Sequence, residues 1–260
     1  MLVSLSKGGM EERNQDFAQA LAHAVNDWQM ECWVKKDARL KAGIVVPQED
    51  AEFAAREIRA RAAENKDYRQ IIISPRSIEP LGRRRYWPIY EAAQEVGLPI
   101  GLHPAAFSGG SPSTGGGWPT YYMQEHYGFS TGVAGNIVSM IFEGVFERFP
   151  KLRVALIETG FTWIPALGWR MDRQWERMRK EVPHVKRPPS EYVREHFWFA
   201  TQPIEEPDNV QHLVDVIDWI GWDRMLFSTD YPHWDYDDPR HCRSEEHTSE
   251  LQSRFGISYA

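Results

Sequence analysis

The sequence predicts an α/β protein built on a parallel sheet. Six short apolar runs, each closed by proline or a polar residue, alternate with amphipathic segments long enough to be helices. The runs are apolar at successive positions, as expected of strands buried on both faces. The length of 260 residues suits one α/β barrel or two small domains.

In chain order, a helix is expected over 14–36. There Phe17, Leu21, Ala24, Val25 and Trp28 recur near a 3.6-residue period behind Asn14, a suitable N-cap. The run Ala42-Gly43-Ile44-Val45-Val46 is the first strand, closed by Pro47. A helix over 50–64, rich in Ala, Glu and Arg, leads to a strand over 69–73 that stops at Ser74-Pro75. The helix over 86–96 ends at Gly97, a typical residue just past a helix C-terminus. The strand over 98–102 runs into His103-Pro104. The segment 105–120 has a Gly/Ser-rich centre and reads as a lid, a binding loop or disorder.

A helix over 121–149 is expected, with a break near Gly132 or Gly135. The strand over 152–157 ends on Glu158, and the helix over 161–181 carries Trp163, Leu167, Trp169, Met171, Trp175 and Met178 on its apolar side. A proline-rich link, a short helix from Ser190, a strand over 197–200 and a helix over 207–220 follow. The last strand, 225–228, is expected to be buried and leads into Thr229-Asp230-Tyr231-Pro232-His233. There is no internal repeat.

Composition narrows the function. The chain is 42% apolar and 26% charged with a net charge of −7, which argues against nucleic acid as a partner. No apolar run reaches the ~18–20 residues that cross a bilayer, no Lys/Arg tract suggests a membrane surface, and the first residues lack a signal sequence. Cys32 and Cys242 lie far apart without a CxxC, which points to a reducing, cytoplasmic setting with no disulfide framework. The expected partner is a small molecule. The eleven Trp suit either pocket walls or helix–sheet packing.

Three runs lead into a residue that can bind a metal or move a proton: His103, Glu158 and Asp230. In a parallel α/β barrel the C-terminal strand ends converge on one pocket. Imidazole with carboxylates suits one divalent ion, Zn²⁺ foremost, with Mn²⁺ or another as alternatives. Each residue also has a plain structural reading, the His as a satisfied structural group and the Asp as a turn former.

Several stretches together resemble the amidohydrolase superfamily, and within it the aminocarboxymuconate-semialdehyde decarboxylase branch. They are Gly97-Leu98-Pro99-Ile100 to His103-Pro104, Glu147-Arg148-Phe149-Pro150-Lys151-Leu152, Trp163-Ile164-Pro165 with Arg170-Met171-Asp172, and Phe227 to His233. The resemblance implies a (β/α)8 (TIM) barrel with one divalent metal, acting as a hydrolase or as a non-oxidative decarboxylase (carboxy-lyase). His103 matches the metal-binding His after the fifth strand. Asp230 matches the Asp after the eighth, a metal ligand and proton carrier. A homodimer is a further implication, with 121–149 as the candidate surface.

Two departures stand out. Nothing in 1–16 matches the His-x-His pair of the family's first strand, and Glu158 stands where relatives carry a His. Counting back from Asp230 leaves strands three to eight. Residues 1–242 are therefore expected to form a partial barrel, with Met1 an internal or artificial start. Residues 243–260 resemble translated sequencing adapter and are expected to be non-native.

The roles of the other candidates stay open. Glu158 reads as a general base, a metal neighbour, or a partner of Arg170 or a loop amide. His233 either bonds the metal carboxylate or caps its turn, and His126 faces substrate or solvent. Trp118, Tyr121 and Tyr122 are pocket walls or core. Arg83-Arg84-Arg85 meets a carboxylate substrate or forms a solvated loop. The competing reading is an inactive fragment or pseudoenzyme scaffold whose third and eighth strands are bare edges. A metal-free Schiff-base aldolase has no support, since no strand ends on Lys.

Overall fold

The computed structural model describes residues 8–10, 12–104 and 119–237. Trp118, Cys242 and the expected tail at 243–260 lie outside them. Helix α1 (Gln15–Cys32) starts where the Asn14 side chain accepts the Phe17 N–H, as its sequence requires. Strand β1 (Ala42–Val45) and helix α2 (Ala51–Glu64) follow, with Asp50 capping α2 in the same way. Then come β2 (Tyr68–Ile73), α3 (Trp87–Val96) and β3 (Ile100–Leu102). Gly97 closes α3 in the left-handed conformation, at φ 72°.

Among the described residues, three helices separate β3 from the next strand: α4 (Tyr122–Tyr127), α5 (Phe129–Phe142) and α6 (Val145–Arg148). The break expected near Gly132 or Gly135 falls instead at Gly128 and Gly144. Gly144 takes the left-handed conformation that side chains resist, whereas Gly132 and Gly135 continue the helix. The chain then runs through β4 (Val154–Leu156), α7 (Ile164–Met178), α8 (Pro189–His196), β5 (Phe197–Ala200), α9 (Val210–Ile220) and β6 (Met225–Leu226).

All neighbouring strands pair in parallel, in the order β1-β2-β3-β4-β5-β6. Doubly wound open sheets reverse strand order at a switch point, and this sheet does not. Sequential order with a helix in every crossover is the (β/α)8-barrel arrangement, with all C-terminal strand ends on one rim. Side-chain alternation splits the core into two faces. Ile44, Ile71, Ile73, Ile100, Leu102, Val154, Leu156, Phe197 and Phe199 belong to the main core under the helices. Val45 and Ile72 point the other way and pack with Met10, Val25, Leu21 and Ile157.

The first edge of the sheet is not bare, contrary to the sequence expectation. In β1, Gly43 and Val45 face away from β2, and two side-chain amides from α1 occupy that side. Asn26 accepts from the Val45 N–H at 2.9 Å and donates to the Val45 carbonyl at 3.0 Å, while Gln29 donates to the Gly43 carbonyl at 3.1 Å. These amides stand in for a neighbouring strand. Asn26 also donates to Glu57, which forms a buried ion pair with Arg61.

The other edge differs. Leu226 and Phe227 were expected to be buried, yet they are 41% and 47% exposed. β6 is the last strand among the described residues, and no element covers its outer side there.

Asn26→Leu removes both partners of Val45 and leaves a buried N–H and carbonyl unpaired. At roughly 1–3 kcal/mol for each orphaned group, the loss should be about 2–6 kcal/mol. Urea unfolding of both proteins measures it, and a change under about 0.5 kcal/mol would show that the amides do not seal this edge.

Candidate active site

The strand ends deliver side chains to the rim because backbone bonds continue past the regular strands. His103 N–H donates to the Ile73 carbonyl, and Ile157 N–H to the Leu102 carbonyl. Farther along, Thr201 N–H donates to the Leu226 carbonyl, Ser228 N–H to Thr201 Oγ1, and Gln202 N–H to Ser228 Oγ. These bonds fix where the chain leaves β3, β4 and β6, and therefore where His103, Glu158 and Asp230 begin.

Glu158 and Asp230 are the two non-glycine residues with positive φ among the described residues, at 58° and 55°. Each turns sharply out of its strand, a conformation that L-residues reach only with strain. Gly160 follows Glu158 at φ 63°, and Glu205 there accepts the N–H groups of Phe161 and Thr162. A Cβ at Gly160 would collide with that carboxylate, so the turn after β4 needs glycine.

The predicted residues meet on this rim. His103 and Glu158 are both buried, with His103 Nε2 2.8 Å from Glu158 Oε2. Glu158 therefore pairs with an imidazole, not with Arg170 or a loop amide. His233 Nδ1 lies 2.9 Å from Asp230 Oδ2, and its backbone N–H donates to the Asp230 carbonyl, so it both contacts the carboxylate and closes the turn. His126 comes in from α4, with Nε2 3.0 Å from Asp235 Oδ2 and 3.8 Å from Glu158 Oε1.

Glu158, Asp230 and His233 form the compact donor group, each offering a ligand atom within 4.8 Å of the others. His103 reaches that group through Glu158. Tyr122 and Trp234 pack near His126 at ring-centroid distances of 5.8 Å each, and Phe129 at 5.0 Å. Tyr121 is largely exposed, and Arg83 and Arg85 are engaged by Glu79, Glu143 and Glu49.

The electrostatics are those of crowded acids. Burial raises the Asp230 carboxyl above its ordinary range, and the Glu158 charge adds to the effect. Asp237, nearby, is pushed up to about 6 by burial, with Glu206, Asp235 and Asp230 adding. For His233, burial disfavours the imidazolium. The Asp235 hydrogen bond and the charges of Asp230, Asp235 and Glu158 outweigh it and raise the imidazole.

A divalent cation fits this rim. Three buried polar atoms of the rim residues, His103 Nδ1, His126 Nε2 and Asp230 Oδ2, make no aligned hydrogen bond. The donor set is oxygen-rich with imidazole, as such ions prefer. Asp235 is the residue that sequence reasoning missed. Its only signal was a carboxylate two positions after His233, and the bonds that give it meaning exist only in the fold.

Comparisons with known proteins bear on the family and the fold. A family model described as Amidohydrolase matches residues 5–247. The chain is similar to gamma-resorcylate decarboxylase of Polaromonas sp. (strain JS666 / ATCC BAA-500), with 29% identity over 244 residues that cover 89% of this chain and 72% of that one. It is also similar to the gamma-resorcylate decarboxylase of Rhodococcus jostii (strain RHA1), at 25% identity over the same coverage. Among solved structures, it resembles dihydroxybenzoic acid decarboxylase from Polaromonas sp. JS666, which has bound manganese and the inhibitor 2-nitroresorcinol. That match has a TM-score of 0.70 and 24% identity, and covers 98% of this chain and 80% of that one. An amidohydrolase from Mycobacterium avium subsp. paratuberculosis K-10 matches with a TM-score of 0.73 and 26% identity, covering 94% of this chain and 61% of that one.

A carboxyl that holds its proton more tightly in the folded chain than in the unfolded one adds stability at low pH. That stability is lost as pH rises through the folded value. In the metal-free chain, Asp237 should therefore lower the melting temperature as pH rises from 3.8 to about 6, and the raised Asp230 carboxyl acts in the same direction. Thermal melts of wild type and Asp237→Asn across that window test this. The variant should fall less, and parallel curves would remove Asp237 as a source.

Proposed function

The chain belongs to the amidohydrolase family, and on that premise we propose that it is a metal-dependent, non-oxidative decarboxylase of small aromatic carboxylates. The observation that carries this reading is the rim group of Glu158, Asp230 and His233, whose ligand atoms lie within 4.8 Å of one another beside buried His103. The family comprises enzymes acting as metal-dependent hydrolases or carboxy-lyases, and the relatives named gamma-resorcylate decarboxylase favour the second chemistry.

Asp230 and His233 would hold the divalent ion with Glu158, and His103 would support Glu158 or join the donors by a small rotation. When bound, such an ion supplies positive charge against the oxygens of the substrate. The carboxylate-rich set suits Mn²⁺ as well as the Zn²⁺ expected from sequence.

The chain's own groups account for the rest. Loss of CO₂ breaks the bond between carboxyl and ring carbon, and the ring carbon must then take up a proton. Asp230 is the group we assign to carry it, since a rim carboxylate can pass a proton to the ring carbon. Tyr122, Phe129 and Trp234, grouped around His126, present aromatic faces to a planar ring.

A second reading is a fold that binds without turnover. One observation favours it: among the described residues, no donor comes from the β1 side of the rim. One experiment separates the two. The full chain is incubated with Mn²⁺ and hydroxybenzoates in D₂O, with CO₂ release and deuterium at the vacated ring carbon measured. Turnover is expected, and Asp230→Ala should lower it by about 10²-fold or more, as loss of a proton-transfer group does. Mn²⁺ binding with no CO₂ release from any hydroxybenzoate would replace the decarboxylase reading by the second.

A further inference from the structure

Asp235 lies between two imidazoles that reach the rim from different elements. Its Oδ1 is 2.6 Å from His233 Nδ1, on the turn after β6, and its Oδ2 is 3.0 Å from His126 Nε2, on α4. The side chain is only 15% exposed, and the Asp235 backbone carbonyl accepts from Gln202 Nε2 at 3.2 Å. Gln202 is itself buried and held by Ser228, so Asp235 is anchored to the segment after β5. The carboxylate thus joins the β6 turn to helix α4, and the backbone carbonyl of the same residue ties that turn to the β5 exit.

This junction has few substitutes. None of the α4 residues is buried, and α4 has only six residues, too few to stand without tertiary support. Besides Asp235, α4 is held by the Arg76–Glu125 pair and by ring contacts of Tyr122 and His126 with Trp234 and Phe129. His233 Nδ1 meets both Asp235 Oδ1, at 2.6 Å, and Asp230 Oδ2, at 2.9 Å, so the Asp235 bond fixes the ring edge that faces Asp230.

We propose that Asp235 is the positioning residue of the rim: one oxygen orients His233 toward the Glu158–Asp230 pair, and the other ties His126 and α4 over it. The proposal rests on reading the rim as a cation site. It predicts that losing the carboxylate disturbs two properties at once, cation affinity at Asp230 and the order of a helix that carries none of the compact donor group.

The test uses the full chain with Mn²⁺ as probe. Affinity is read from the electron paramagnetic resonance of free Mn²⁺, and the order of α4 from hydrogen exchange of peptides spanning 119–130. Asp235→Ala should weaken Mn²⁺ about 10- to 100-fold, the usual range for loss of such a supporting partner. It should also speed exchange in α4. Asp235→Glu should restore part of both. Asp235→Asn keeps the size of the side chain and a hydrogen-bonding group beside His233 while removing the charge, so it carries the test if the alanine variant does not fold. It should retain slow exchange in α4 while weakening Mn²⁺ several-fold.

Affinity within twofold of wild type together with unchanged exchange, in whichever of these two variants folds, would overturn the proposal. Failure of the cation reading shows separately, as Mn²⁺ binding that Asp230→Ala leaves untouched. In that case the exchange of α4 alone decides whether Asp235 is a tether.

Discussion

Two carboxylates held together beyond the ends of β4 and β6, on either side of β5, set the terms for the rest of the rim. Glu158 and Asp230 have oxygens within 4.8 Å of each other, and both backbones sit in the left-handed region. At an effective dielectric of about 20, two full charges at that separation repel by about 3 kcal/mol. The two strained residues add about 1 kcal/mol or more each. Such an arrangement survives only if other groups relieve it. His103 beside Glu158 and His233 beside Asp230 relieve part, and partial protonation of Asp230 relieves more. A bound cation relieves the remainder, which is why crowded carboxylates of this kind point to function rather than to stability.

The scaffold tolerates this rim because the parallel sheet beneath is satisfied elsewhere. Its core strands are almost wholly apolar, and buried polar backbone at the open β1 edge is met by Asn26 and Gln29. On the rim side, Gln48 bridges to Ser74 and Thr201 to Ser228, replacing ladder bonds where the strands diverge. These clasps keep strand ends at fixed spacing, and the spacing of the rim groups follows from it.

Much of this was legible in the sequence, for physical reasons that can be named. Strands buried on both faces leave continuous apolar runs, so all six were visible, and a run that stops at a polar residue marks its own rim position. His103, Glu158 and Asp230 were therefore identifiable. Their pairing was not, because which carboxylate meets which imidazole depends on φ at Glu158 and Asp230, and no pattern encodes that. Asn26 and Gln29 read as ordinary polar residues of an amphipathic helix, since a side chain that completes a sheet edge has no periodicity. The helix breaks were misplaced for a similar reason: four glycines compete over 128–144, and tertiary packing chooses which one turns left-handed. Asp235 was passed over because its neighbours in space come from α4, over a hundred positions earlier in the chain.

The rim also has two unequal halves. His103 and Glu158 are set by strand ends and are almost fully buried, whereas His126, His233 and Asp235 rest on a short helix and a turn with Tyr122, Tyr231 and Trp234 in solvent. A ligand bridging both halves meets one that is already in place and one that its binding must hold. Part of the binding free energy then goes into ordering the turn and α4, and the observed affinity falls by that amount. Residues that pre-order the exposed half thus raise affinity without touching the ligand. It follows that aromatic contacts such as Tyr122–Trp234, at 6.2 Å, bear on cation binding as well as on the substrate ring. Selectivity and metal retention are then coupled through the same few side chains on α4 and the β6 turn.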